Sequence, residues 1–173
     1  MIPEGRDMQR NGRELKFVTG FILFFLIGQA GNYFLRRYAG DMVIHSLNAV
    51  PASVIINLLT PDEKTVARDI RICGPNVSMM IKRGCEGSEG MVLVLAAVLA
   101  FPAGIRKKLT AVLIGIIIVY VANLSRIVAL FYSLRYIPDL FQIMHVYAGQ
   151  VYIIVVSLMY FLVWATRVMR HEE

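Results

Sequence analysis

Apolar residues run along this chain in blocks. The clearest are Phe17 to Phe34, Ser88 to Ile105, Leu109 to about Ser133 and Val146 to Val163. Each is near the length a helix needs to cross a hydrocarbon layer of about 30 Å, so the pattern predicts about four transmembrane helices. Met42 to Leu59 breaks the pattern, because His45, Ser46, Asn48, Pro51, Ser53 and Asn57 interrupt its apolar residues. It predicts an amphipathic helix at the interface or packed on the bundle, with a full span as the competing reading. Between Thr65 and Arg83 the period changes. Val66, Arg68, Ile70 and Ile72 alternate with other residues, Gly74-Pro75-Asn76 supplies a turn, and Val77, Met79 and Ile81 alternate again. That predicts a small β-hairpin. The expected fold is therefore an all-α membrane protein: a polytopic helical bundle with an interfacial helix and an extracytoplasmic hairpin. It forms a single integral membrane domain over 1–173, with 1–16 as a loose cytoplasmic lead-in and 36–87 as an extracytoplasmic insert.

Composition excludes the soluble classes. The 173 residues are 57% hydrophobic and 17% charged, with a mean hydropathy of +0.62, a balance no ordinary soluble domain carries. The net charge of +6 belongs to topology rather than to a nucleic-acid partner, since its basic residues fall at block ends: Arg36-Arg37, Arg106-Lys107-Lys108, Arg167 and Arg170. Arg6, Arg10, Arg13 and Lys16 put the amino terminus in the cytoplasm. No cleavable signal peptide is evident, and two cysteines make no disulfide scaffold. If 42–59 does not cross, the Arg-Lys-Lys loop falls inside, as positive-inside bias requires. The result is a multi-pass protein of the cytoplasmic membrane.

That orientation brings three unusual residues to the outer face. Cys85 lies in Gly84-Cys85-Glu86-Gly87-Ser88-Glu89-Gly90, directly before an apolar block. Ser88 is suited to cap the following helix, and Glu86 and Glu89 to its positive end, whose dipole favours a thiolate at Cys85. A structural thiol, or a disulfide with Cys73, is the bland alternative. Arg126 lies 17 residues beyond Leu109, about 25 Å along a helix. An arginine at membrane depth costs about 2.5–3.5 kcal/mol on insertion scales. It either snorkels to headgroups or faces a helix contact. Asn123 one turn earlier and the small residues Gly115, Ala122 and Ala129 favour the contact. His145 opens the last block, with Gly149 and Tyr152 on its face; a hydrogen-bonded interfacial histidine is the alternative. Together a thiolate, an imidazole and a guanidinium suit acyl transfer through a thioester. No ligand spacing supports a metal, no phosphate loop is present, and no cofactor is expected.

These motifs resemble the exosortase/archaeosortase family. The likeness rests on Gly-Cys-Glu-Gly-Ser-Glu-Gly, on Asn-Leu-Ser-Arg-Ile-Val from Asn123, and on Met-His-Val-Tyr from Met144. The short length and the run Met91 to Pro102 resemble the exosortase H branch. The resemblance implies a membrane-embedded cysteine transpeptidase with Cys85 as nucleophile, His145 as acid/base and Arg126 as the third catalytic residue, supported by Asn123, Glu89 and Tyr152. Its implied substrates carry a carboxy-terminal signal of short motif, transmembrane helix and basic tail, of the Ile-Pro-Thr-Leu type in the H branch. Glu86 departs from the commoner Asn or Ser after the cysteine. Other classes compete: a small transporter or assembly factor binding an anion at Arg126, or an acyltransferase acting on lipid or sugar. The hairpin offers an edge strand for an extended substrate.

Overall fold

The computed structural model describes residues 4–82 and 84–170, with the side chains of 12, 14–82 and 84–170 among them. The side chains of Arg6, Arg10 and Arg13, and all of His171, lie outside the described residues. The chain is helical from Glu4, so the polar lead-in continues into the first helix rather than forming a loop. Helix α1 (Glu4–Ile44) passes through a π-helical turn (His45–Ala49) straight into α2 (Val50–Leu59). Pro51 explains the turn: it has no N–H to donate, and its ring would strike a carbonyl four residues back. The wider turn relieves this, with Val50 N–H reaching His45 O instead. The 46 residues Glu14–Leu59 amount to about 69 Å of helix, over twice the hydrocarbon thickness. Segment 42–59 prolongs the first helix and packs on the bundle, one of the two forms expected of it, with Ala52, Ser53 and Ile56 buried against a cap of other elements.

That cap is a three-stranded antiparallel sheet: β1 (Val66–Arg68), β2 (Arg71–Cys73) and β3 (Ser78–Met80), in that order. The predicted turn at Gly74-Pro75-Asn76 joins β2 to β3. The first alternating run is not one strand, because Asp69 takes φ 49° and turns it back on itself, which adds β1 to the hairpin. Ile72 pairs with Ala67 and Met79. Ile72 and Met79 pack with Ile44, Ile56, Leu130 and Phe131 in a buried cluster between α2, the sheet and a later helix that carries Leu130 and Phe131.

Helix α3 (Ser88–Ala100) has 13 residues, about 20 Å, and is too short to span by itself. The block from Ser88 to Ile105 divides at Phe101, which is extended at φ −69°, ψ 137°, as a residue before proline prefers. Among the described residues, three helical stretches are long and apolar enough to cross: Glu14–Leu59, α4 (Ile105–Tyr136), and Pro138–Arg170. The last comprises α5 (Pro138–Ile143), a second π-helical turn (Met144–Ala148) and α6 (Gly149–Arg170). Short α3 is central, contacting α1, α4 and α6. Small residues permit this: a Cβ on Gly90 would lie 2.6 Å from Ile153 Cγ2, and one on Gly115 2.6 Å from Val94 Cγ1. Apolar Leu26, Ile27, Leu113, Ile117, Ile154 and Leu158 face outward, while Asn48, Asn123, Arg126 and Ser157 are buried. This is the distribution expected of a protein in lipid. Arg106, Lys107, Arg167 and Trp164 gather at one cleft, at the bundle end opposite Cys85.

Candidate active site

Cys85 follows β3 in a tight turn, its N–H donating to Lys82 O at 3.0 Å. The turn ends at Gly87, whose φ of +80° is open to glycine at little cost. A Cβ there would also lie 2.7 Å from Cγ of Asn123. Gly87, not Ser88, is the residue before the helix. The Ser88 hydroxyl donates to Glu86 Oε1 at 3.2 Å instead of capping.

Arg126 reaches the same turn from the middle of α4. It is 4% exposed, so it does not snorkel to headgroups. Its Nη2 lies 3.8 Å from Cys85 Sγ and donates to His145 O at 3.5 Å. Gly149 makes room for it, since a Cβ there would lie 2.5 Å from Arg126 Nε. His145 sits within the second π-helical turn, its ring stacked on Phe141 with 2° between planes. Cys85 Sγ is 3.9 Å from each of its ring nitrogens. The sulfur therefore lies between the nitrogens, in line with neither, and a modest ring rotation would align one for proton transfer.

The remaining predicted residues divide. Asn123 is fully buried behind the turn, donating from Nδ2 to Asn48 Oδ1 at 3.0 Å. Tyr152 hydrogen-bonds Ser125 at 3.1 Å, away from the sulfur. Glu89 accepts from both Nη atoms of Arg36 at 3.1 Å, so it serves α1 rather than the thiol. Cys73 and Cys85 are both free thiols, and no disulfide joins them. Burial pushes the Cys85 thiol above its ordinary pKa. Arg126 opposes this and the Glu86 carboxylate adds to it. The net direction is the reverse of what the helix dipole alone suggests, because desolvation outweighs a partial charge at a helix end.

Two clefts meet at Arg126. One, of about 320 Å³, is lined by Gly84, Gly87, Gly90 and Gln150. The other, of about 420 Å³, is lined by Ser125, Ala148, Gly149 and Tyr152.

The description "transmembrane exosortase" fits a family model that matches residues 9–162, nearly the whole chain. The chain belongs to the transmembrane exosortase family. Comparison with curated proteins and with solved structures gives no match. In this exosortase the segments carrying Cys85, Arg126 and His145 all fall inside the matched region. Sequence reasoning missed three contributors to the exosortase site: Arg36, Asn48 and Gly87. Arg36 carries only the signal of a basic residue ending an apolar block. Asn48 showed only as a polar interruption, and Gly87 only as one glycine among several.

Proposed function

We propose that this exosortase is a cysteine transpeptidase or peptidase that cleaves a carboxy-terminal sorting signal through a thioester at Cys85. The observation supporting it most directly is the approach of one sulfur to both an imidazole and a buried guanidinium, at 3.9 and 3.8 Å. The thiol proton passes to His145 as the sulfur attacks the scissile carbonyl carbon. A tetrahedral oxyanion forms, and Arg126 is placed to stabilise it. Collapse breaks the C–N bond, and the departing amine takes the proton from His145. An acceptor nucleophile, water or an amine, then gives its proton to His145 and attacks the thioester, returning the thiol.

The substrate is a protein whose signal combines a short motif, a transmembrane helix and a basic tail, of the Ile-Pro-Thr-Leu type. Its helix lies in the membrane beside α3 and α4, and its extended motif pairs with the edge strand β3, directly upstream of Cys85. The site faces the periplasmic side of the inner membrane, leaving the Arg106-Lys107-Lys108 end inside.

Co-expression of a signal-bearing substrate with wild-type, Cys85→Ala and Cys85→Ser protein, followed by intact-mass analysis, tests the proposal. Processing is expected only with wild-type enzyme, with a hydroxylamine-sensitive adduct on Cys85. Unchanged processing by Cys85→Ala would overturn it, and if Arg126→Gln still impaired function, an anion-binding role would take its place.

A further inference from the structure

Glu86 is an unexpected neighbour for a nucleophilic thiol. It follows Cys85 directly, is 6% exposed, and bears a negative charge that works against a thiolate. It also orders the turn. Its Oε2 accepts from Gly84 N–H and its Oε1 from the Ser88 hydroxyl, so the residues on both sides of Cys85 hang on one carboxylate. The chain resolves this conflict with a residue about fifty positions earlier. Arg36 of α1 forms an ion pair with Glu86, donates to Ser88 Oγ at 3.0 Å, and holds Glu89 Oε1 at 3.1 Å. One guanidinium thereby meets every acidic side chain of the Gly84–Gly90 loop.

We propose that Arg36 is a positioning residue of the Cys85 site: it pairs with the Glu86 carboxylate, so that the carboxylate can order the turn while opposing the thiolate less. The proposal rests on the reading of Cys85 as nucleophile and adds a division of labour to it. Arg36 offsets the acidic side of the turn, and Arg126, in contact with the sulfur, then acts on the thiolate against a weaker opposing charge. Among the described residues, the charged and titratable groups around Cys85 are Arg126 from α4, His145 from the turn before α6, Glu86 and Glu89 from its own loop and α3, Arg36 from α1 paired with those carboxylates, and Lys82 at the end of the sheet.

A purely structural ion pair makes a different prediction. If the pair only holds the turn, breaking it from either side loosens the same contacts, and both variants change Cys85 in the same sense. If Arg36 cancels a charge, the two variants act in opposite senses. Arg36→Gln leaves Glu86 uncompensated and disfavours the thiolate. Glu86→Gln removes the opposing charge and favours it, while its amide oxygen can still accept from Gly84 N–H and its amide NH2 can donate to the Ser88 hydroxyl.

The test is the pH dependence of Cys85 alkylation by iodoacetamide, followed by intact mass, on full-length protein in nanodiscs with Cys73→Ser as background. Alkylation rises with pH as thiolate forms. The midpoint is expected to move up by roughly one pH unit in Arg36→Gln and down by a similar amount in Glu86→Gln. It should lie near wild type in the double variant and in Arg36→Lys. Shifts in the same direction for both single variants, or no shift in either, overturn the proposal. No substrate is needed, so the outcome is separable from the transpeptidase reading. That reading falls if Cys85→Ala still processes substrate, whatever the alkylation midpoints show. Should Arg36→Gln not fold, Glu86→Gln and Arg36→Lys still decide: a downward shift in the first and none in the second are required.

Discussion

A methyl group on Gly149 would occupy the space of Arg126 Nε, 2.5 Å away. Gly149→Ala should therefore displace the guanidinium from the sulfur and lower processing at least about tenfold, since misplacement of a catalytic group by about 1 Å can cost a hundredfold. Protein level and membrane insertion should stay normal. Gly87→Ala differs: it forces a side chain into left-handed backbone, at about 1–2 kcal/mol, and against Asn123. It is expected to lower thermal stability as well as rate, measured by melting in detergent. Because burial raises the thiol and Arg126 pulls it down, processing should climb with pH through the alkaline range. Arg126→Gln should move that rise to still higher pH, because it removes the favouring charge. Cys85, Arg126 and His145 could be picked out from the sequence because each residue type is expensive or reactive where it stands. The Arg36–Glu86 pair could not, since nothing local in either segment records a partner about fifty residues away.

At the scale of elements, the helical blocks were readable because hydrophobicity of that length has one common explanation in lipid. Their edges were less so. Phe101-Pro102 marks the end of α3, but an average over hydropathy passes through it. Asp69 folds an alternating run into two strands by adopting φ 49°, which alternation alone does not reveal. The π-helical turns are subtler. Pro51 is a local cause for the first, whereas Met144–Ala148 contains no proline. Such a turn is one residue more than an α-helix requires. Deleting Val146 should restore regular helix and rotate the segment before it by about 100°, carrying His145 off the sulfur. The expected result is a membrane-inserted protein without activity. Retained processing would show that the turn has no part in aligning the imidazole.

Over the whole molecule, polarity runs from a basic, aromatic end to a capped end that holds the thiol. Phe17, Phe101, Phe161 and Trp164 cluster at the first, stacked or edge to face, beside Arg106 and Arg167. The proposed orientation predicts that a membrane-impermeant maleimide added to spheroplasts labels Cys85 in a Cys73→Ser background. A cysteine substituted at Lys107 should label only after permeabilisation. The reverse pattern would invert the assignment of the site.

The unbroken run from α1 to α2 has a mechanical side. Leu23, Leu26 and Ile27 are exposed low on this rod, while Arg36 and Asn48, higher up, hold the loop and the asparagine behind Cys85. If the proposed site is right, acyl-chain length should bear on the alignment of Cys85, Arg126 and His145, because a strut set in the bilayer at one level supports them at another. In vesicles of graded thickness, turnover should peak at one width and fall on either side, so that the lipid itself sets the tuning of the enzyme.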